Sequence, residues 1–200
     1  MRAIVEEIEA LVARVGTHPV WGYAHCRRVL SLAEELARSE RLDYDEEIMH
    51  LAALLHDIGL YKPYTLREGK DHVRRSVVVA TRLLRDGDFP PEATRVVLDA
   101  IEHHPPGASS GRSAEAALLK DAIALDYLGA VGLSRVFAMV GLEEDVPDLT
   151  AATRHALNLR HSVPDLLYFD ASRRIARERA REMDDFFSNL EDATANLKLL

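Results

Sequence analysis

Apolar positions recur every three to four residues along almost the whole chain, and alternating β-branched runs are nearly absent, which predicts helices and essentially no sheet. Ile4, Ile8, Leu11, Val12 and Val15 draw a first stripe. Val29, Leu32, Ala33 and Leu36 draw a second, within a helix placed at about Tyr23 to Arg38. A third helix runs from about Asp45 to Asp57, with Gly59 as its stop, because glycine tolerates φ > 0. Helices near 71–86 and 91–104 follow, separated by "DGDFPP", where Pro90 and Pro91 forbid continuing one helix and suit the start of the next. The segment "HHPPGASSGRS" (103–113) is the strongest break. It reads as a surface loop rather than a linker, since the flanking helices are too few for two separate cores. A long helix from about Ala114 to Leu128 or beyond comes next, and Pro147 and Pro164 bracket another. A charged helix at about Asp165–Leu190 closes the chain, with Ile175, Met183, Phe186 and Leu190 on its packing side. The pattern predicts an all-α, single-domain helical bundle spanning residues 1–200.

Composition narrows the class. The 200 residues leave room for one sizeable core, and 48% apolar with 29% charged residues describes a globular chain rather than a disordered one. A net charge of −8 argues against nonspecific nucleic-acid binding, so no nucleic-acid partner is expected. No apolar run approaches the roughly 20 residues of a membrane span, so no membrane role is expected. The opening "MRAIVEEIEALVARV" alternates acids with apolar residues, as an amphipathic helix does and a secretory leader does not. The single Cys26 cannot form an internal disulfide, which fits a reducing cytoplasm.

The chemistry concentrates in "LAALLHDIG" (51–59), where His56 and Asp57 close an otherwise apolar run. An unpaired polar group in such a place costs roughly 2–7 kcal/mol on transfer scales, whereas a buried charge is tolerable when it coordinates a cation. Imidazole with carboxylate suits a divalent ion such as Mn²⁺, Fe²⁺, Ni²⁺ or Zn²⁺. Helical bundles build such sites from ligands on several helices, and His25, at the start of the second helix, is a further donor. The same residues also admit a plainer role, because a histidine near a helix C-terminus is favoured by the helix dipole alone.

The order of these residues carries a resemblance. "HCRRV", "LAALLHDIG", "DHVRRSVVVATRLLRDGDFP", "VLDAIEHHPP" and "KDAIALDYLGAVGLSR" resemble the HD-domain superfamily of metal-dependent phosphohydrolases over about residues 18–140, with the helices of 150–192 expected to pack on that core. The resemblance implies a helical fold and a divalent metal (Mn, Fe, Ni, Zn or Mg). It also implies cleavage of a small phosphorylated substrate, in first place a nucleotide. His25, His56 and Asp57 fall on the family's metal-ligand positions, and Asp57 is placed to orient a water or take its proton. Where relatives read "DADxLDxLG", the central acid is replaced by Ile123, with Asp121 and Asp126 on either side. At about 100° per residue, Asp126 lies about 60° around a continuous helix from position 123 and Asp121 about 160°, which makes Asp126 the better substitute ligand. His72, His103, His104 and Asp121 are additional metal or substrate contacts on the same resemblance, adjacent His pairs also occurring at metal sites of the HD-GYP branch. Arg28, Lys62 and Arg75 are the phosphate-binding candidates, with Arg67, Lys70 and Arg74 beside them. The departure at Ile123 leaves a second expectation open: a non-catalytic module that binds a nucleotide or a protein partner.

Overall fold

A computed structural model of the chain describes residues 2–65, 71–109 and 111–200. Among the described residues lie nine α-helices and no strand, the all-α architecture that the periodicity predicts. The chain folds as two compact units, residues 1–123 and 124–200.

The first unit holds α1 (Arg2–Val15), α2 (Tyr23–Glu40), α3 (Glu46–Leu55), α4 (His72–Asp86), α5 (Pro91–His103) and most of α6 (Ala114–Leu125). Its central element is α3. The Asp45 carboxylate accepts from the backbone N–H of Glu47 (2.9 Å) and Ile48 (3.1 Å), capping the helix start. Ile48, Met49, Leu51, Ala52, Ala53, Leu54 and Leu55 are all buried, because α1, α2 and α5 pack around this one helix. Each fully buried leucine contributes about 1.5–3 kcal/mol. A helix apolar on every side delivers whatever follows it into the interior: His56 and Asp57 are only 0% and 7% exposed.

The helix ends sooner than expected, at Leu55, with His56 as its C-cap, and a short 3-10 turn (Ile58–Leu60) follows. Gly59 does not stop it through positive φ; it lies inside that turn, where a Cβ would sit 2.7 Å from both the His72 carbonyl oxygen and the Ser76 nitrogen. Close approach of α4, not a left-handed turn, is what glycine permits there. Helix α4 starts on the Asp71 carboxylate, which accepts from the Arg74 N–H at 2.9 Å, and packs on α5 and on the 3-10 turn.

The second unit holds α7 (Gly129–Ala138), α8 (Leu149–Ser162) and α9 (Asp170–Ala193), with α7 packed on α8 and α9. The single helix expected from Ala114 past Leu128 is broken: Leu128 is extended (φ −110°) and Gly129 adopts φ +71°, a conformation that side chains with a Cβ rarely reach. The charged helix begins at Asp170 rather than Asp165, since Pro164 sits in a second 3-10 turn (Val163–Leu166). Among the described residues, no helix is long and apolar enough to cross a membrane.

Candidate metal centre

Four helix ends meet inside the first unit. His25 lies in the first turn of α2, His56 caps the C-terminus of α3 with Asp57 next to it, His72 opens α4, and His104 caps the C-terminus of α5. Asp57 is the hub. Its Oδ2 lies 3.3 Å from His56 Nε2 and 3.9 Å from His25 Nε2. Its Oδ1 lies 3.7 Å from His72 Nε2 and 3.9 Å from His104 Nε2. Two donor groups result, His25–His56–Asp57 and Asp57–His72–His104, each offering one atom per residue within 4.8 Å of the others. All these residues are buried except His72, whose side chain is 35% exposed and leaves the second group open to solvent.

The local hydrogen bonds decide which imidazole nitrogens face inward. His56 Nδ1 lies 2.9 Å from the Ala53 carbonyl and His104 Nδ1 lies 2.6 Å from the Ile101 carbonyl. A carbonyl oxygen only accepts, so Nδ1 carries a proton in both rings and Nε2 is the ring atom turned toward Asp57. His56 Nε2 is also 3.2 Å from His25 Nε2. Imidazole Nε2 atoms thus crowd a carboxylate that can itself only accept. Such an array repels itself unless a proton or a cation sits inside it, and a divalent cation fits the set in charge, ligand type and burial.

Electrostatics agree with that picture. Burial alone would raise the Asp57 carboxyl, but the His56 imidazole, through charge and hydrogen bond, together with His104 and His25, holds it far below the usual carboxylate range. Burial pushes the His104 imidazole down to about 4, His56 adds to the shift and Asp57 opposes it. A measurable consequence follows for the metal-free protein. Between pH 7 and pH 5 the unfolded chain protonates this imidazole, with an ordinary pKa of 6.5, while the folded chain does not. The unfolded state binds more protons, so stability is expected to fall by about 2 kcal/mol over that interval. Asp57 adds its loss only below the ordinary carboxyl value of 3.8. Urea midpoints of the metal-free chain at pH 7 and 5 check this, with His104→Gln expected to show a smaller drop.

Other sequence candidates lie elsewhere. His103 is in neither donor group: its Nδ1 bonds the Asp99 carbonyl at 2.8 Å and lies 3.4 Å from Asp99 Oδ1. The other Asp99 oxygen accepts from the Arg112 N–H at 2.8 Å, so this corner ties the 104–113 loop to α5. Asp121 is fully buried within α6 and is in neither donor group. Asp126 is also in neither group. The angular preference for it presumed a helix running through position 126, but α6 ends at Leu125, and the Asp126 carboxylate forms an ion pair with Arg135 at 3.0 Å. Arg28 is half-buried on α2 and Lys62 is exposed, while Arg75 donates from Nε to the Gly59 carbonyl at 3.2 Å. Arg67 and Lys70 fall outside the described residues. A contact that sequence reasoning missed is Ser76, whose Oγ accepts from the Gly59 N–H at 3.0 Å; its only trace in the sequence is a small polar residue one turn after His72.

Known proteins resemble the chain along most of its length. A family model, the HD domain, matches residues 22–128. YpgQ of Bacillus subtilis strain 168 is 29% identical over 195 residues, covering 93% of this chain and 91% of its own. The crystal structure of B. subtilis YpgQ in complex with ADP superposes with a TM-score of 0.72 at 28% identity, over 96% of this chain and 95% of that one. An HD-superfamily hydrolase from Bacillus thuringiensis gives a TM-score of 0.68 at 23% identity over 98% of this chain and 99% of its own, a likeness that speaks for the fold alone.

Proposed function

The chain belongs to the HD-domain family, and on that premise we propose that it is a metal-dependent phosphohydrolase acting on a small phosphorylated molecule, in first place a nucleotide. The observation that carries the reading is the buried Asp57 carboxylate, with one oxygen turned to each of two imidazole pairs. The ADP held by the related YpgQ supports a nucleotide. Rich in imidazole, the donor set favours Mn²⁺, Fe²⁺, Ni²⁺ or Zn²⁺ over Mg²⁺, which prefers oxygen.

His25, His56 and Asp57 would hold one cation, and Asp57, His72 and His104 a second. Asp121, buried in α6 of the same unit but outside both donor groups, is the acid we propose as a further ligand. The chemistry supplied there is Lewis acidity, which makes hydroxide available near neutral pH and withdraws charge from phosphoryl oxygens. Asp57 would orient the attacking water. Fixed by its Nε on the turn just beyond Asp57, Arg75 presents its guanidinium to substrate phosphate, with Arg28 and Lys62 as further cations. Nδ1 of His56 and of His104, each turned to a backbone carbonyl, leaves Nε2 as the nitrogen each ring offers to a cation.

Purified protein is expected to turn over nucleoside phosphates only with added divalent metal and to lose activity to a chelator. Absence of turnover with Mn²⁺, Fe²⁺, Ni²⁺, Zn²⁺ and Mg²⁺, on nucleoside mono-, di- and triphosphates and an aryl phosphate, from a folded sample, refutes it. Ile123, buried and apolar where the family resemblance leads one to expect an acid, favours the second reading, a nucleotide- or partner-binding module without catalysis. Nucleotide binding without turnover selects that one.

A further inference from the structure

The turn after Asp57 is held by α4 through the N–H and the carbonyl of Gly59. Within the 3-10 turn, Leu60 N–H bonds the Asp57 carbonyl (2.9 Å) and Tyr61 N–H bonds the Ile58 carbonyl (3.2 Å), which leaves the Gly59 N–H without a partner inside the turn. Ser76 supplies one: its hydroxyl, fully buried, accepts from Gly59 N–H at 3.0 Å. The adjacent residue, Arg75, donates from Nε to the Gly59 carbonyl at 3.2 Å. Two consecutive α4 side chains therefore grip one peptide segment from both sides. The absent Cβ of Gly59 lets the His72 carbonyl oxygen and the Ser76 nitrogen come against it, each 2.7 Å from where that atom would be. His72 is thus fixed to the Asp57 turn through its own backbone, one helical turn before Ser76.

We propose that Ser76 and Arg75 are positioning residues that set the affinity of the Asp57–His72–His104 group for its cation without touching it. The inference rests on the two-cation reading above. The clamp acts on one group only, because His56 precedes Asp57 in the same segment and His25 is carried by α2, whereas His72 reaches Asp57 solely by the docking of α4. The 3.7 Å between His72 Nε2 and Asp57 Oδ1 is the distance the clamp controls.

The test is a Mn²⁺ titration of substrate-free protein, followed by calorimetry and by the paramagnetic signal of free Mn²⁺, so that no turnover is needed. Ser76→Ala is expected to weaken one of two binding steps by about tenfold to a hundredfold, the range for residues that orient a ligand from behind. The other step should stay within about twofold. Ser76→Thr, which returns the hydroxyl, should recover most of the loss. Hydrogen exchange at the Gly59 amide should speed up in Ser76→Ala and slow again in Ser76→Thr. Arg75→Lys, a half-buried change that spares the core, should show the same one-step weakening and decides the matter if Ser76→Ala fails to fold. Equal weakening of both steps, or no change in either, overturns the inference while leaving the cation reading intact. Wild-type protein that binds no Mn²⁺ overturns the proposed function and takes this inference with it.

Discussion

Asp57→Asn is expected to empty both cation positions and to lower kcat/KM by at least about a thousandfold, roughly 4 kcal/mol of transition-state stabilisation. The reason is the division of its two oxygens, one lying among His25 and His56 and the other among His72 and His104. Asparagine keeps the shape but loses the charge, and it turns an amide N–H₂ toward at least one imidazole lone pair, filling the space a cation needs. Histidine variants should divide the effect. His56→Gln should remove the first ion and His72→Gln the second, each with a partial loss, while Asp57→Asn removes both. Metal analysis after dialysis measures the content directly. Thermal melting gives an independent readout, since a ligand present at 100 times its Kd adds about 2.7 kcal/mol to the folded state. Wild-type protein should therefore melt higher with Mn²⁺ and Asp57→Asn should not. A Mn²⁺-dependent rise that survives in Asp57→Asn would sink the two-group centre, because no other described residue lies in both groups.

The parts of this centre that the sequence announces are those whose placement follows from local periodicity. An apolar helix that ends in His-Asp must bury that pair if its neighbours cover it on all sides, and α3 is covered by α1, α2 and α5. His25 and His72 lie at helix starts, which "HCRRV" and "DHVRRS" mark well. The choice between His103 and His104 is different. Adjacent residues on a helix point about 100° apart, so one of them had to face away, and which one depends on where α5 ends. It ends with His104 as its cap, whose Nδ1 closes on the Ile101 carbonyl and turns Nε2 inward, while His103 turns to Asp99. The Asp121 and Asp126 pair has the same dependence. A continuous helix favours Asp126, but the positive φ of Gly129 and the extended Leu128 belong to a break that puts Asp126 beyond α6. The grip on Gly59 by Ser76 and Arg75 joins residues 16 and 17 positions apart through backbone groups, and apolar spacing carries no signal for such a contact.

Arg135→Met is expected to cost about 3–5 kcal/mol of stability, the penalty for stranding one member of a buried ion pair. Asp126 is 1% exposed and Arg135 6%, so neither charge has water to fall back on. The guanidinium bonds both the Asp126 carboxylate and the Asp126 carbonyl at 3.0 Å, and stacks on the Tyr127 ring with Cζ 4.6 Å from its centre. One side chain thus fixes the segment that joins α6 to α7. Removing both charges in Asp126→Leu/Arg135→Met should restore most of the loss, because a well-packed apolar pair replaces a buried ion pair at little or no net cost. Denaturant midpoints of the two single variants and the double variant form the cycle that measures the coupling. The same proteins separate structure from ligation. If Asp126 serves the ion pair and Asp121 serves the cation, the double variant keeps its full metal content and Asp121→Asn loses part of it. Full metal content in Asp121→Asn, with a deficit in the folded double variant, would transfer the ligand role back to Asp126.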